Sequence, residues 1–256
     1  QLTAENLRRS AELDVARRLQ QMVLPKPGEI AAIHYLEIAG FMEPASEVGG
    51  DYYDVLQQDN RLKIGIGDVT GHGLESGVLM IMVQTAVRTL MAAKETDPVK
   101  FLEILNRTIY GNIERMNSEK NLTMSLVDYE DGIVVLSGQH EEAILVRDAL
   151  PPVVERIDTI DLGFPIGLTA EIGDFIGHQS LQLHPGDGLV LYTDGITEAE
   201  NLAGEQYGIE RLCAVISNFW HLSATDIRQG VIDDLRRHIG AQKVYDDITL
   251  VVLKQK

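Results

Sequence analysis

The order in which strand-like and helix-like segments follow one another constrains this 256-residue chain more than any other feature. Three short runs from Tyr35 onward, YLEIAGFM, DYYDVLQ and LKIGIGDV, are rich in β-branched and aromatic residues, broken by Gly, Asp or Asn, and read as a β-meander. Helical periodicity then covers 74–93 and, with Pro98 at its start, 97–116. Strand patterns return as LTMSLVDY, GIVVLSG, EAILVR, SLQLHPGD and GLVLYTDG, followed by helical patterns over 205–218 and 225–239 and a last strand, ITLVVLK. Runs of strands and pairs of helices do not alternate as βαβ units do. The reading is an α+β layered sandwich of mostly antiparallel sheet with helices packed outside.

Ahead of the strands, Ala4, Leu7, Ala11, Val15, Leu19 and Met22 recur at steps of three or four, and Leu13, Ala16 and Val23 widen the stripe. With Thr3 to cap it and Pro25 and Pro27 to stop it, this predicts an amphipathic helix of about 22 residues, about 33 Å long. Such a stripe needs a partner, either its own domain or a second copy of the chain. No repeat, low-complexity run or Pro/Ser-rich linker interrupts 28–256, so the expected organisation is a linker helix over 1–27 and one catalytic-sized domain over 28–256. A first residue, Gln1, inside a helical pattern suggests a piece of something longer.

Charge narrows the partners. Thirty-nine acids against 22 bases give a formal charge of −17, so the surface repels nucleic-acid phosphates and anionic membranes. The longest purely apolar run, 78–83, is far short of the roughly 20 residues that span a bilayer, which predicts no membrane contact. The one cysteine, Cys213, has no internal disulfide partner, which makes the cytoplasm the expected compartment.

The chemistry points to aspartates at strand ends. Asp51 lies in VGGDYYD, Asp68 in GIGDVTGHG, Asp194 in LYTDGITE, and Asp246 with Asp247 in YDDITLVV. One Asp beside Gly is ordinary turn chemistry, but four such sites together ask for more. Converging carboxylates repel and cost several kcal/mol of desolvation unless a cation neutralises them. Oxygen ligands without a Cys/His cluster select Mg²⁺ or Mn²⁺, and two such ions about 4 Å apart can activate water against a phosphate ester. Gly49, Gly50, Gly67, Gly71, Gly73 and Gly195 would let backbone approach ions and phosphate closely. Read as a nucleotide loop, Gly65, Gly67 and Gly71 give the wrong spacing, and the P-loop Gly-Lys-Ser/Thr is missing.

With VGGDYYD, GDVTGHG, GFPIGL, HPGDGLVLYTDGITEAEN and YDDITLVV in order, the chain resembles the metal-dependent protein Ser/Thr phosphatases (PPM, type 2C), in their bacterial SpoIIE-like branch. The resemblance implies two antiparallel sheets flanked by helix pairs, an αββα sandwich. It implies that Asp68 bridges two Mn²⁺ or Mg²⁺ ions with the Val69 carbonyl as a further ligand. Asp51 would hold the second ion, Asp194 and Asp246 would complete the first, and Asp247 ranks below Asp246. It further implies hydrolysis of a phosphoserine or phosphothreonine in a signalling protein by metal-activated water. The implied substrate is an anti-sigma antagonist of STAS type in a partner-switching system, with a sensor domain upstream and a homodimer through the N-terminal helix. Two features depart from the family: EPASEVGGD carries no phosphate-gripping Arg, and LSGQHEE lacks the Asp that holds a third metal in some relatives. His72 is either the general acid to the leaving oxygen or a loop-ordering residue. Two other readings compete with this enzyme: a binding module of the same fold without turnover, and a different two-metal hydrolase such as a nuclease, which the charge disfavours.

Overall fold

The computed structural model describes residues 18, 20–45, 48–71 and 73–256. Most of the N-terminal helix expected over 3–24, and His72, lie outside the described residues; the stretch 20–23 is helical. A short helix α1 (Pro27–Ala31) follows the two prolines.

Among the described residues, ten strands form two five-stranded sheets in which every pairing is antiparallel. In the first, β1 (Leu36–Glu43), β10 (Ile248–Gln255), β9 (Gly188–Tyr192), β6 (Ala143–Arg147) and β7 (Val153–Ile157) lie side by side in that order. In the second the order is β2 (Tyr52–Gln58), β3 (Arg61–Val69), β4 (Leu122–Glu130), β5 (Ile133–Ser137) and β8 (His178–Gln182). Strand side chains alternate between faces, which makes three cores. Leu62, Ile64 and Ile66 of β3 meet Leu189, Leu191, Val251 and Leu253 between the sheets. Val190, Tyr192, Leu250 and Val252 turn outward under α5 (Ile209–Phe219) and α6 (Ala224–Ile239). Tyr52, Met124 and Leu126 turn the other way under α2 (Leu74–Ala92) and α3 (Pro98–Met116). The layers are helix, sheet, sheet, helix. Burial on both faces is why GLVLY and ITLVV read as unbroken apolar runs. Helix α2 has the length and apolar character of a membrane span, but Leu79, Met80, Val83 and Val87 are buried against the second sheet.

Several expectations need correction. The first three strands are not one meander: β1 pairs with β10 from Leu36↔Gln255 to Glu43↔Ile248, so the loop after β1 carries the chain from one sheet to the other. Strand β7 was not anticipated, because at the sheet edge Val153, Glu155 and Arg156 are exposed and leave no alternating pattern. The stretch SLQLHPGD is strand only as far as Gln182, since Asp187 accepts the His184 N–H across a turn with Gly186 at φ +88°. The helix expected over 205–218 begins at Ile209, because the Asn201 side chain organises a loop by accepting from the Ala203 and Glu205 N–H groups.

Candidate metal centre

The aspartates meet where ends of both sheets face each other. Asp51 directly precedes β2, Asp68 is the penultimate residue of β3, and Asp194 opens the short helix α4 (Asp194–Thr197) after β9. Asp246 and Asp247 directly precede β10. A pair of sheet-end loops thus does what no single motif can.

Asp51 is 2% exposed, and its Oδ2 accepts from Thr193 Oγ1 at 2.9 Å and from Thr249 Oγ1. Burial first, then the Asp68 charge, pushes its pKa well above the carboxylate range, against the lowering effect of these hydroxyls. Asp68 is raised to about 7 by burial and then by Asp194, Asp246 and Asp247, while a hydrogen bond with Asp51 acts the other way. Neighbouring buried acids of this kind hold protons more tightly than free carboxylates do when no cation neutralises them. Asp194 is likewise raised, by burial and then by Asp246 and Glu198.

Asp247 has a different occupation. Its Oδ1 accepts from Ala45 N at 2.7 Å, and its Oδ2 from Gly50 N at 2.6 Å and Asp51 N at 3.3 Å. This carboxylate satisfies three backbone donors of the crossing loop, which otherwise would be buried unpaired. Asp246 is exposed and accepts the Asp247 N–H at 2.8 Å. A Cβ on Gly50 would meet Val69 O at 2.6 Å, Gly71 O at 2.9 Å and Asp68 Oδ1 at 3.3 Å, so these oxygens converge on a backbone that only glycine lets so near. Gly195 is equally restricted, because a Cβ there would strike the Asp247 carbonyl.

The donor set is oxygen alone, carries excess negative charge and includes the Val69 carbonyl, which is the chemistry that suits Mg²⁺ or Mn²⁺. Among the described residues, no group of three His, Cys, Asp or Glu side chains already stands in a metal-holding arrangement. Asp247 is engaged with backbone N–H groups. The residues fit the ions in kind, and an ion entering here competes with the protons that burial and neighbouring charge hold on Asp51 and Asp68.

Sequence reasoning passed over Thr193 and Thr249, the fully buried partners of Asp51. Their signal was a threonine at the end of one apolar run, LVLYT, and near the start of another, ITLVV. It also passed over Glu141, whose pKa is raised by burial and then by Asp194 and Glu198, which puts it at the same centre. The neighbouring His140 is held neutral, its pKa lowered to about 4 by burial, and its Nδ1 lies 2.8 Å from Thr123 Oγ1, beside Asp68 in the sheet. Lys120 Nζ donates to Thr70 O at 2.7 Å, so a cation does reach the loop after Asp68.

The family model for Stage II sporulation protein E (SpoIIE) matches residues 58–256. The chain belongs to the SpoIIE family. It is thereby an enzyme of the PP2C-type serine/threonine phosphatases. It is 26% identical over 255 residues to the phosphoserine phosphatase RsbU of Bacillus subtilis, covering 96% of this chain and 70% of RsbU. It is 26% identical over 272 residues to Protein IcfG of Synechocystis, covering 94% of this chain and 41% of IcfG, so it spans less than half of that relative. The PP2C domain of SiaA from Pseudomonas aeruginosa superposes with a TM-score of 0.84 at 19% identity, covering 99% of both chains. The catalytic domain of the serine/threonine phosphatase PstP, solved with two manganese ions, superposes at 0.62 with 16% identity, covering 86% of this chain and 97% of that one. These likenesses carry the αββα fold, which is the fold observed here.

Proposed function

We propose that this chain is a Mn²⁺- or Mg²⁺-dependent phosphatase that removes phosphate from phosphoserine or phosphothreonine in a signalling protein, with a STAS-type anti-sigma antagonist as the substrate. The observation that carries the reading is that Asp68, whose Oδ1 stands with Val69 O against Gly50, feels the charges of Asp194 and Asp246 and the side chain of Asp51, in a chain of the SpoIIE family. Likeness to the phosphoserine phosphatase RsbU supports the choice of phosphoserine, and the free thiol of Cys213 suits a cytoplasmic enzyme.

In this reading Asp68 with the Val69 carbonyl would hold both ions, Asp51 the second and Asp194 with Asp246 the first, and Asp247 holds the loop that presents Asp51. When bound, the ions supply an activated water and positive charge against the phosphoryl oxygens. Thr193 and Thr249 keep the Asp51 carboxylate in one rotamer by donating to it. His72 is the proposed proton donor to the leaving oxygen. We further assign 1–27 to a linker that pairs two copies of the chain, with the phosphatase over 28–256.

Hydrolysis of p-nitrophenyl phosphate and of a phosphoserine peptide, measured with Mn²⁺, Mg²⁺ or EDTA, tests the reading. Turnover should require the metal and fall to background in Asp68→Ala and Asp194→Asn, while His72→Ala should lose about 10²-fold with a changed pH profile if it transfers the proton. Undiminished turnover in Asp68→Ala would sink the metal assignment.

A further inference from the structure

The helical stretch 20–23 lies over the loop that presents Asp51. Gln20 is 3% exposed, and its side-chain amide lies along the backbone of Gly49: Nε2 donates to Gly49 O at 3.0 Å, and Gly49 N donates to Oε1 at 3.4 Å. Two bonds in opposite directions to one residue reproduce what a neighbouring antiparallel strand would give. An amide this buried is costly unless paired, and Gly49 is the pairing that makes Gln tolerable here.

The same loop is held from two other sides. Asp247 takes the N–H groups of Gly50 and Asp51, and Gly73, just ahead of α2, donates to Val48 O at 3.2 Å. Gly77 of α2 has no room for a Cβ beside Val48. Asp247 and α2 belong to the sandwich itself, whereas Gln20 belongs to the segment before the prolines.

We infer that Gln20 is a positioning residue for the metal loop: its side-chain amide sets where Gly50 and Asp51 stand relative to Asp68. The inference rests on the reading that Asp51 and Asp68 hold the ions. Losing the amide withdraws both partners of Gly49 together, and a buried N–H and C=O left unpaired draw the loop toward water. Gly50 packs directly against Val69 O and Asp68 Oδ1, so a loop that shifts there alters the ligand set.

The test uses the whole 256-residue chain with Gln20→Leu, which keeps volume and removes both bonds, and Gln21→Ala, an exposed neighbour on the same turn, as control. Calorimetry without substrate should show Mn²⁺ binding at least about tenfold weaker in Gln20→Leu. Peptide turnover should fall in kcat with KM unchanged, and amides of 48–51 should exchange faster while those of β3 and β9 keep their protection. Gln21→Ala should match the parent throughout. Equal Mn²⁺ affinity and loop exchange in Gln20→Leu would overturn the inference, as would an equal loss in Gln21→Ala. If Gln20→Leu does not fold, the parent decides, because a Gly49 amide exchanging as fast as an exposed loop would also overturn it. A parent that binds no Mn²⁺ defeats the metal reading, and the exchange comparison, which needs no metal, still judges Gln20.

Discussion

Asp51 and Asp68 show how a residue's surroundings decide its chemistry. Both are strand-end aspartates, yet one is sealed in and fed by two threonine hydroxyls while the other faces three further acids. Asp68 titrates at about 7, against about 3.9 in an unfolded chain, so the folded state keeps a proton that the unfolded state has released between those values. The stability this contributes is complete below about pH 4 and is lost as pH rises through about 7. In EDTA the thermal midpoint should therefore fall from pH 4 to pH 7. Mn²⁺ affinity should rise over the same interval, because metal and proton compete for one carboxylate. A midpoint and an affinity both flat over that range would show that Asp68 holds no such proton.

At the scale of elements, loops and caps aim the site. Helix α3 is started by Asp97, whose side chain accepts from Val99 N at 2.9 Å and Lys100 N at 3.3 Å, with Pro98 in the first turn. It ends at Asn117, in the left-handed region at φ 50°, with Ser118 N donating back to Ile113 O. Between these ends, Asn106 reaches out to hold Gly167, Thr169 and Ala170, so α3 also fixes the turn that follows GFPIGL. Asp97→Ala should cost about 1 kcal/mol in denaturant unfolding and leave kcat untouched, since the cap is solvent-exposed and no metal-centre residue contacts it. A loss of activity larger than the loss of stability would tie the helix start to the site in a way its hydrogen bonds do not.

For the whole molecule, the two sheets share one inner core and the site sits at its edge, so neither sheet holds a complete ligand set. Asp51 and Asp68 come with the second sheet, Asp194 and Asp246 with the first. The formal charge of −17 gives the molecule a repulsive field toward other acidic surfaces, and self-association through it needs an apolar stripe to offset that repulsion. The stripe over 3–24 supplies such a surface in the sequence. Removing residues 1–24 should convert a dimer into a monomer in sedimentation velocity, and a shortened chain that remains dimeric would move the interface to 28–256.

The alternation of LKIGIGDV, the unbroken apolar run that opens GLVLYTDG and the helical periods of 74–93 and 97–116 are local signals, set by side-chain period and turn chemistry, and they made the layered sandwich and the family resemblance legible. The acidic positions were legible for the same reason, since Asp51, Asp68 and Asp194 each sit beside Gly at a strand end and Asp246 with Asp247 just ahead of an apolar strand run. Sheet membership was not, because the run at Tyr35 carries the same pattern whether it pairs with β2 or, as it does, with β10 more than two hundred residues later. Nor could the clamp that Asp247 makes be recognised, since its partners are the backbone of Ala45, Gly50 and Asp51, about two hundred residues away. Thr193, Thr249 and Gln20 acquire their roles in the same way. A buried polar group must find a partner wherever the fold brings one, and only the packed tertiary structure decides which partner that is.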